Sequence, residues 1–105
     1  MATKHICMIR GDTLSFGLEI DGLDQDLDTA YFTCRQNYDG DIIFQKAIND
    51  GITKESTGKY KVRVAPADTA SLDIGRYVYD FQIGVNGDIF TIMNGILELE
   101  HEVTY

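Results

Sequence analysis

The sequence predicts an all-β domain of two antiparallel sheets packed face to face, and three observations carry that prediction. Apolar and polar residues alternate with period two through much of the chain, the repeat of a half-buried strand. Asp39-Gly40, Asp50-Gly51 and Asn86-Gly87 fall between apolar runs, where hairpin turns need positive backbone angles. No long stretch of 3.6-residue periodicity separates the strands, so the strand-helix alternation of a parallel sheet is absent.

The first strand is expected to end near Ile9 and to be followed by Arg10-Gly11-Asp12, the tripeptide that adhesion ligands present to integrins. Here it opens directly into Thr13 to Ile20, with Leu14, Phe16, Leu18 and Ile20 facing one way and Thr13, Ser15, Gly17 and Glu19 the other. The tripeptide is therefore expected as a tight connection, in which Gly11 supplies permissive backbone and Asp12 accepts hydrogen bonds from nearby amides. Ala30 to Gln36 then places Phe32 and Cys34 on one face, and Lys59 to Val64 places Tyr60, Val62 and Val64 on one face. Pro66 to Leu72 is compatible with one or two helical turns at most.

Arg76 to Ile83 turns Tyr77, Tyr79, Phe81 and Ile83 one way and Val78, Asp80 and Gln82 the other, a spacing of aromatics that suits a sheet. Asp88 to Val103 supplies the last strand or pair of strands, with Gly95 expected to mark a bulge or bend between Ile92 and Leu97. Leu72-Asp73-Ile74-Gly75-Arg76-Tyr77 sets a tyrosine at the start of a strand after a crossing loop, as a tyrosine corner does. The expected fold is accordingly an immunoglobulin-like antiparallel β-sandwich of seven to nine strands with at most one short helical turn, a single domain over residues 1–105. Neither Cys7 nor Cys34 falls in the two strands that carry the disulfide of antibody domains, so only the architecture transfers.

Composition narrows the function. The chain is 44% hydrophobic and 25% charged, with six tyrosines and five phenylalanines, enough to bury a core unaided. Its net charge of -8 repels a phosphate backbone, so nucleic acid is not an expected partner. No run approaches the roughly 20 apolar residues that span a bilayer, and no membrane partner is expected. Met-Ala-Thr-Lys-His lacks the apolar stretch of a signal peptide, and two cysteines make no disulfide framework, so reduced thiols in a cytoplasm are expected.

Catalytic chemistry is not visible. No two glycines are separated by a single residue, which removes the dinucleotide fingerprint and the glycine-rich phosphate loop. None of Ser15, Ser56 and Ser71 sits in a nucleophile elbow, and His5 and His101 lie near opposite ends of the chain. The expectation is no enzyme, no cofactor and no catalytic residue.

No metal site is assigned either. His5-Ile6-Cys7 points two zinc ligands to one strand face, with His101 beside them if the first and last strands are neighbours. A polar edge strand with a buried free thiol is the favoured reading, because no paired ligand spacing supports zinc. Asp24, Asp26 and Asp28 resemble the start of a calcium loop, but Thr29 and Arg35 stand where that loop needs glycine and glutamate, so a solvated acidic loop is expected.

Lys54, Lys59, Lys61 and Arg63 form a basic stripe on an acidic molecule, a candidate protein-interaction surface for an acidic patch, including one on another copy. The favoured alternative is a solvent-facing strand whose lysines discourage edge pairing. Carbohydrate binding ranks last, since Tyr31 and Tyr38 are its only aromatic donors and tryptophan is absent.

Gly11-Asp12-Thr13 entering its strand, Thr57-Gly58-Lys59-Tyr60-Lys61-Val62, and Leu72-Asp73-Ile74-Gly75-Arg76-Tyr77-Val78-Tyr79-Asp80 together resemble the immunoglobulin-like domains of bacteriophage structural proteins, nearest the N-terminal β-sandwich of baseplate upper proteins. The resemblance spans nearly the whole chain through turn and core positions and carries no catalytic residue across. It implies a non-enzymatic phage or prophage virion protein, a baseplate, tail or capsid accessory component made in the bacterial host cytoplasm. Since the chain ends at Tyr105, a free-standing component is expected, with other phage structural proteins or itself as homo-oligomer for partners. The alternative is an acidic phage-encoded inhibitor that occupies a basic site on a host protein.

Overall fold

Alternating segments become strands wherever a second segment can complete their hydrogen bonds and cover their apolar face. The computed structural model describes residues 2–20, 22 and 25–101. Among these residues run β1 (Ala2–Thr3), β2 (Ile6–Ile9), β3 (Leu14–Glu19), β4 (Thr29–Arg35), β5 (Ile42–Ile48), β6 (Gly51–Ser56), β7 (Lys59–Val64), the helical turn α1 (Pro66–Thr69), β8 (Gly75–Val85) and β9 (Asp88–Glu100).

Hydrogen bonding follows the order β1-β9-β8-β4-β5-β6-β7-β3, with β2 also on β9. Two layers result. The larger holds β5, β4, β8 and β9 in antiparallel array, with β1 and β2 added in parallel along β9. The smaller holds β6, β7 and β3, all antiparallel. The shortest extent, 20 Å, is that of two sheets about 10 Å apart with their outer side chains.

The core lies between the layers and centres on Phe32 of β4, which is fully buried. Phe16 of β3 meets it edge-on from the opposite layer at 5.5 Å between ring centroids, and Tyr79 approaches at 5.5 Å from β8. Phe44 and Phe81 complete the cluster at 6.0 Å and 6.4 Å. Both cysteines are free, so aromatic packing, worth about 0.5–1.5 kcal/mol per pair beyond area burial, joins the layers in place of a disulfide. The expected inward sets are as read: Tyr60, Val62 and Val64 on β7, and Tyr77, Tyr79, Phe81 and Ile83 on β8, are all buried.

Turn chemistry is obeyed at most of the expected places. Asn86 and Gly87 both take positive φ, 53° and 82°, and join β8 to β9 as a two-residue hairpin. Asp39-Gly40 does lie in the loop joining the antiparallel β4 and β5, but neither residue takes positive φ, and the longer loop closes through the Gln36 amide to the Asp41 carbonyl and the Gly40 amide to the Asn37 carbonyl. α1 is the single turn expected after Pro66, and Asp68 accepts a 2.7 Å hydrogen bond from the Ala65 amide just before it.

Three expectations are corrected. Asp50-Gly51 does not make a hairpin: Asn49 and Gly51 take φ of 67° and 96°, and the chain steps from the larger layer to the smaller, leaving β5 and β6 paired in parallel over two residues each. A hairpin cue is local, whereas here each strand already has its antiparallel partner in its own layer. Gly95 is not the bulge. The extra residue in β9 is Ile92, between the Phe81–Met93 and Gln82–Thr91 pairs. Gly95 instead admits the backbone of Lys4, into which any Cβ at that position would collide. Of the expected last strand or pair of strands, the single strand is the one formed, Asp88–Glu100, and Val103 lies outside the described residues.

The third correction concerns Asp12, which is exposed. The side chain that caps the turn is Thr69, fully buried, whose Oγ1 accepts a 2.9 Å hydrogen bond from the Gly11 amide. Arg10 donates to the Leu72 carbonyl at 3.1 Å. Arg10-Gly11-Asp12 is thus the connection between β2 and β3, docked against the α1 segment.

Candidate functional site

Strands with one face on the core must present their other face outward, and among the described residues no element covers that face on four adjacent strands of the larger layer. Residues paired in register share a face. Gln45, Thr33, Asp80 and Asn94 therefore form one outward row across β5, β4, β8 and β9, and Ala47, Tyr31, Gln82 and Thr91 form the next. A cleft of about 260 Å³ opens over these rows, bounded also by Arg35, Tyr38 and Val78.

The cleft is organised by hydrogen bonds within the face. Gln45 Nε2 donates to Thr33 Oγ1 at 2.9 Å and Gln82 Nε2 to Thr91 Oγ1 at 3.3 Å. Arg35 Nη1 donates to the Gly40 carbonyl at 2.9 Å and so fixes the β4–β5 turn from which Tyr38 projects. Burial pushes the Asp80 carboxyl above the usual carboxylate range, and the Arg35 charge pulls it back. Among the described residues no hydrogen-bond donor reaches that carboxylate. Tyr31 and Tyr38 expose 38% and 76% of their surface at the rim, and the apolar Ile42 and Ile89 are also open at 46% and 64%. Tyrosine and arginine around a polar floor are suited to recognition: large rigid contact area with directional donors and acceptors.

Sequence reasoning placed Asp80 and Gln82 on the face away from the core and named Tyr31 and Tyr38 as aromatic donors. It missed that they share one cleft, because strand order sets that neighbourhood.

The basic stripe is divided. β7 is an interior strand between β6 and β3, so its lysines do not guard an edge. Lys59, Lys61 and Arg63 project from the outer face of the smaller layer, where their register partners on β3 are Glu19, Gly17 and Ser15. Lys54 sits in register with the inward Tyr60 instead, and its ammonium lies 2.5 Å from Asp26, whose hydrogen bond holds it above its ordinary value.

The acidic segment does not converge. Asp26 is engaged by Lys54, Asp28 Oδ2 accepts from the Asn86 amide at 3.0 Å, and Asp24 lies outside the described residues. His5 and Cys7 do share a face, as the i, i+2 spacing requires, but two parts of the expectation fail. Cys7 is exposed rather than buried, and the neighbour supplied by β9 is Glu98 in place of His101. The parallel register of β2 on β9 sets Cys7 beside Glu98. The buried thiol is Cys34, pushed up to about 12 by burial.

No helix among the described residues is long and apolar enough to cross a membrane. No family model matches the chain, and no curated relative does. Among solved structures it is similar to the extracellular domain of the voltage-gated sodium channel beta4 subunit, described as forming parallel homodimers with a role in cell-cell adhesion. The two are 15% identical, superpose with a TM-score of 0.53, and match over 98% of this chain and 95% of the other. At that identity the likeness is one of architecture, and with the two layers and the tyrosine corner it shows the chain to be an immunoglobulin-like β-sandwich.

Proposed function

We propose that this chain is a non-enzymatic interaction module that docks a protein partner on the outer face of its larger layer. The observation that carries the reading is the uncovered cleft with Tyr31 and Tyr38 at its rim and Arg35 and Asp80 within it. Exposed tyrosines and a half-buried arginine beside open apolar side chains make the composition of a protein-binding surface. The sequence resemblance supports a proposed setting as a phage or prophage virion component in a baseplate, tail or capsid accessory position, with a second copy or another virion protein as partner. The homodimers of the beta4 domain are a precedent for self-association in this architecture and belong to that protein.

Light scattering of the purified protein over a wide concentration range, with the Tyr31→Ala/Tyr38→Ala double variant alongside, tests the reading together with proteomics of purified particles. The expected outcome is the chain in particles and an assembly that the double variant loses. A strict monomer that is absent from particles overturns it. The net charge of -8 supports the alternative of an inhibitor of a basic host site. That reading requires partner binding to fall steeply with added salt, whereas docking through Tyr31 and Tyr38 is far less salt-sensitive.

A further inference from the structure

A parallel strand added beside β9 brings together residues that are nowhere near each other in sequence. Cys7 is directly in register with Glu98, and His5 lies two residues earlier on the same outward face. His5 Nε2 is 3.1 Å from Glu98 Oε1, and with the Cys7 sulfur the donor atoms of the three residues all lie within 4.8 Å of one another. A tetrahedral ion with bonds of about 2.0–2.3 Å holds its ligand atoms roughly 3.3–3.8 Å apart, so closure takes about 1 Å of movement. His5 and Cys7 are exposed and can supply it by side-chain rotation alone.

We propose that His5, Cys7 and Glu98 form a surface site for a zinc-class divalent transition ion, with a fourth position left to solvent. Imidazole, thiolate and carboxylate are the donors such ions take, and this mixture selects against magnesium and calcium, which take oxygen alone. Binding displaces the thiol proton of Cys7 to solvent and replaces the His5–Glu98 contact with two bonds to the metal. The ion ties β2 to β9. Arg76, whose Nε lies 3.5 Å from Glu98 Oε1, is the cation that opposes it; this arginine is largely exposed and free to swing away.

The second cysteine makes the test clean. Cys34 is fully buried in the core, so Cys7 is the thiolate that an added ion can reach. Cobalt(II) titrated into the reduced full chain is expected to give a thiolate-to-cobalt charge-transfer absorption that saturates at one ion per chain and is displaced by zinc. Cys7→Ser is expected to abolish the band and Cys34→Ala to retain it. His5→Ala and Glu98→Gln are expected to weaken the affinity by about tenfold or more, the scale on which removal of even a supporting partner acts. Arg76→Gln is expected to tighten binding several-fold, since it removes a positive charge beside the ligand carboxylate. Absence of the thiolate band in the parent chain overturns the proposal. So does a band unchanged in both His5→Ala and Glu98→Gln, which would leave an adventitious thiol complex. Circular dichroism of each variant separates lost ligation from lost fold.

Discussion

The Tyr77 hydroxyl donates a 2.7 Å hydrogen bond to the main-chain carbonyl of Asp73, four residues upstream. The bond folds the crossing loop back on the start of β8 and fixes how the α1 segment hands the chain to the larger layer. Burial, with the charge of Asp73, holds the phenol above its ordinary value, so it stays a donor at neutral pH.

Tyr77→Phe keeps the ring in the core and deletes only that bond. The expected loss is about 1 kcal/mol of stability, the net worth of one intramolecular hydrogen bond. It reads out as a lower urea midpoint with an unchanged denaturant slope. An unchanged midpoint would deny the corner any energetic role.

Thr69→Ala and Asp12→Ala separate two views of the Arg10-Gly11-Asp12 turn. Thr69 is buried and accepts from the Gly11 amide. Its removal leaves the half-buried Gly11 amide without that partner and is expected to cost about 1 kcal/mol or more. Asp12 is exposed, and its substitution is expected to change stability by no more than about 0.5 kcal/mol. Thermal melts of the two variants, side by side, decide between them.

Cys34 has a pH signature. Its thiol sits at about 12 in the fold against an ordinary 9.0, so the unfolded chain gives up this proton first as pH rises. The contribution is fully present below pH 9.0 and is lost as the pH climbs toward about 12. Alkaline unfolding of Cys34→Ala is therefore expected to be less steep in pH over that interval than that of the parent chain. At mildly alkaline pH a thiol reagent is expected to label Cys7 at once and Cys34 only on unfolding. Rapid labelling of two thiols per folded chain would contradict the burial of Cys34.

Asp80 works in the opposite direction. Its carboxyl is raised in the fold, so the folded chain holds that proton more tightly than the unfolded chain does, and the half-buried charge is a penalty at neutral pH. Asp80→Asn is expected to raise the melting temperature at neutral pH. The gain shrinks as the pH falls through the raised value, where the parent carboxyl is itself neutral. A lower melting temperature at neutral pH would mean that the carboxylate has a stabilising partner.

Legible along the chain were the inward faces of β3, β4, β7 and β8, the places of α1 and the Asn86-Gly87 hairpin, and the corner closed by Tyr77. Each of these depends on side-chain period or turn chemistry within a few residues, and such local terms are written in order along the chain. The rest follows from how the strands pack. Parallel docking of β2 on β9 set Cys7 beside Glu98 and left His101 apart, a juxtaposition across more than ninety positions that no local pattern encodes. The crossing at Asn49 to Gly51 overrode a hairpin cue because β5 and β6 had better partners in their own layers. Lys54 left the basic stripe for Asp26, and the cleft over Asp80 exists because β5, β4, β8 and β9 lie side by side. Strand order and register are set by the whole core finding one arrangement that buries every inward face at once, which makes them properties of the packed molecule.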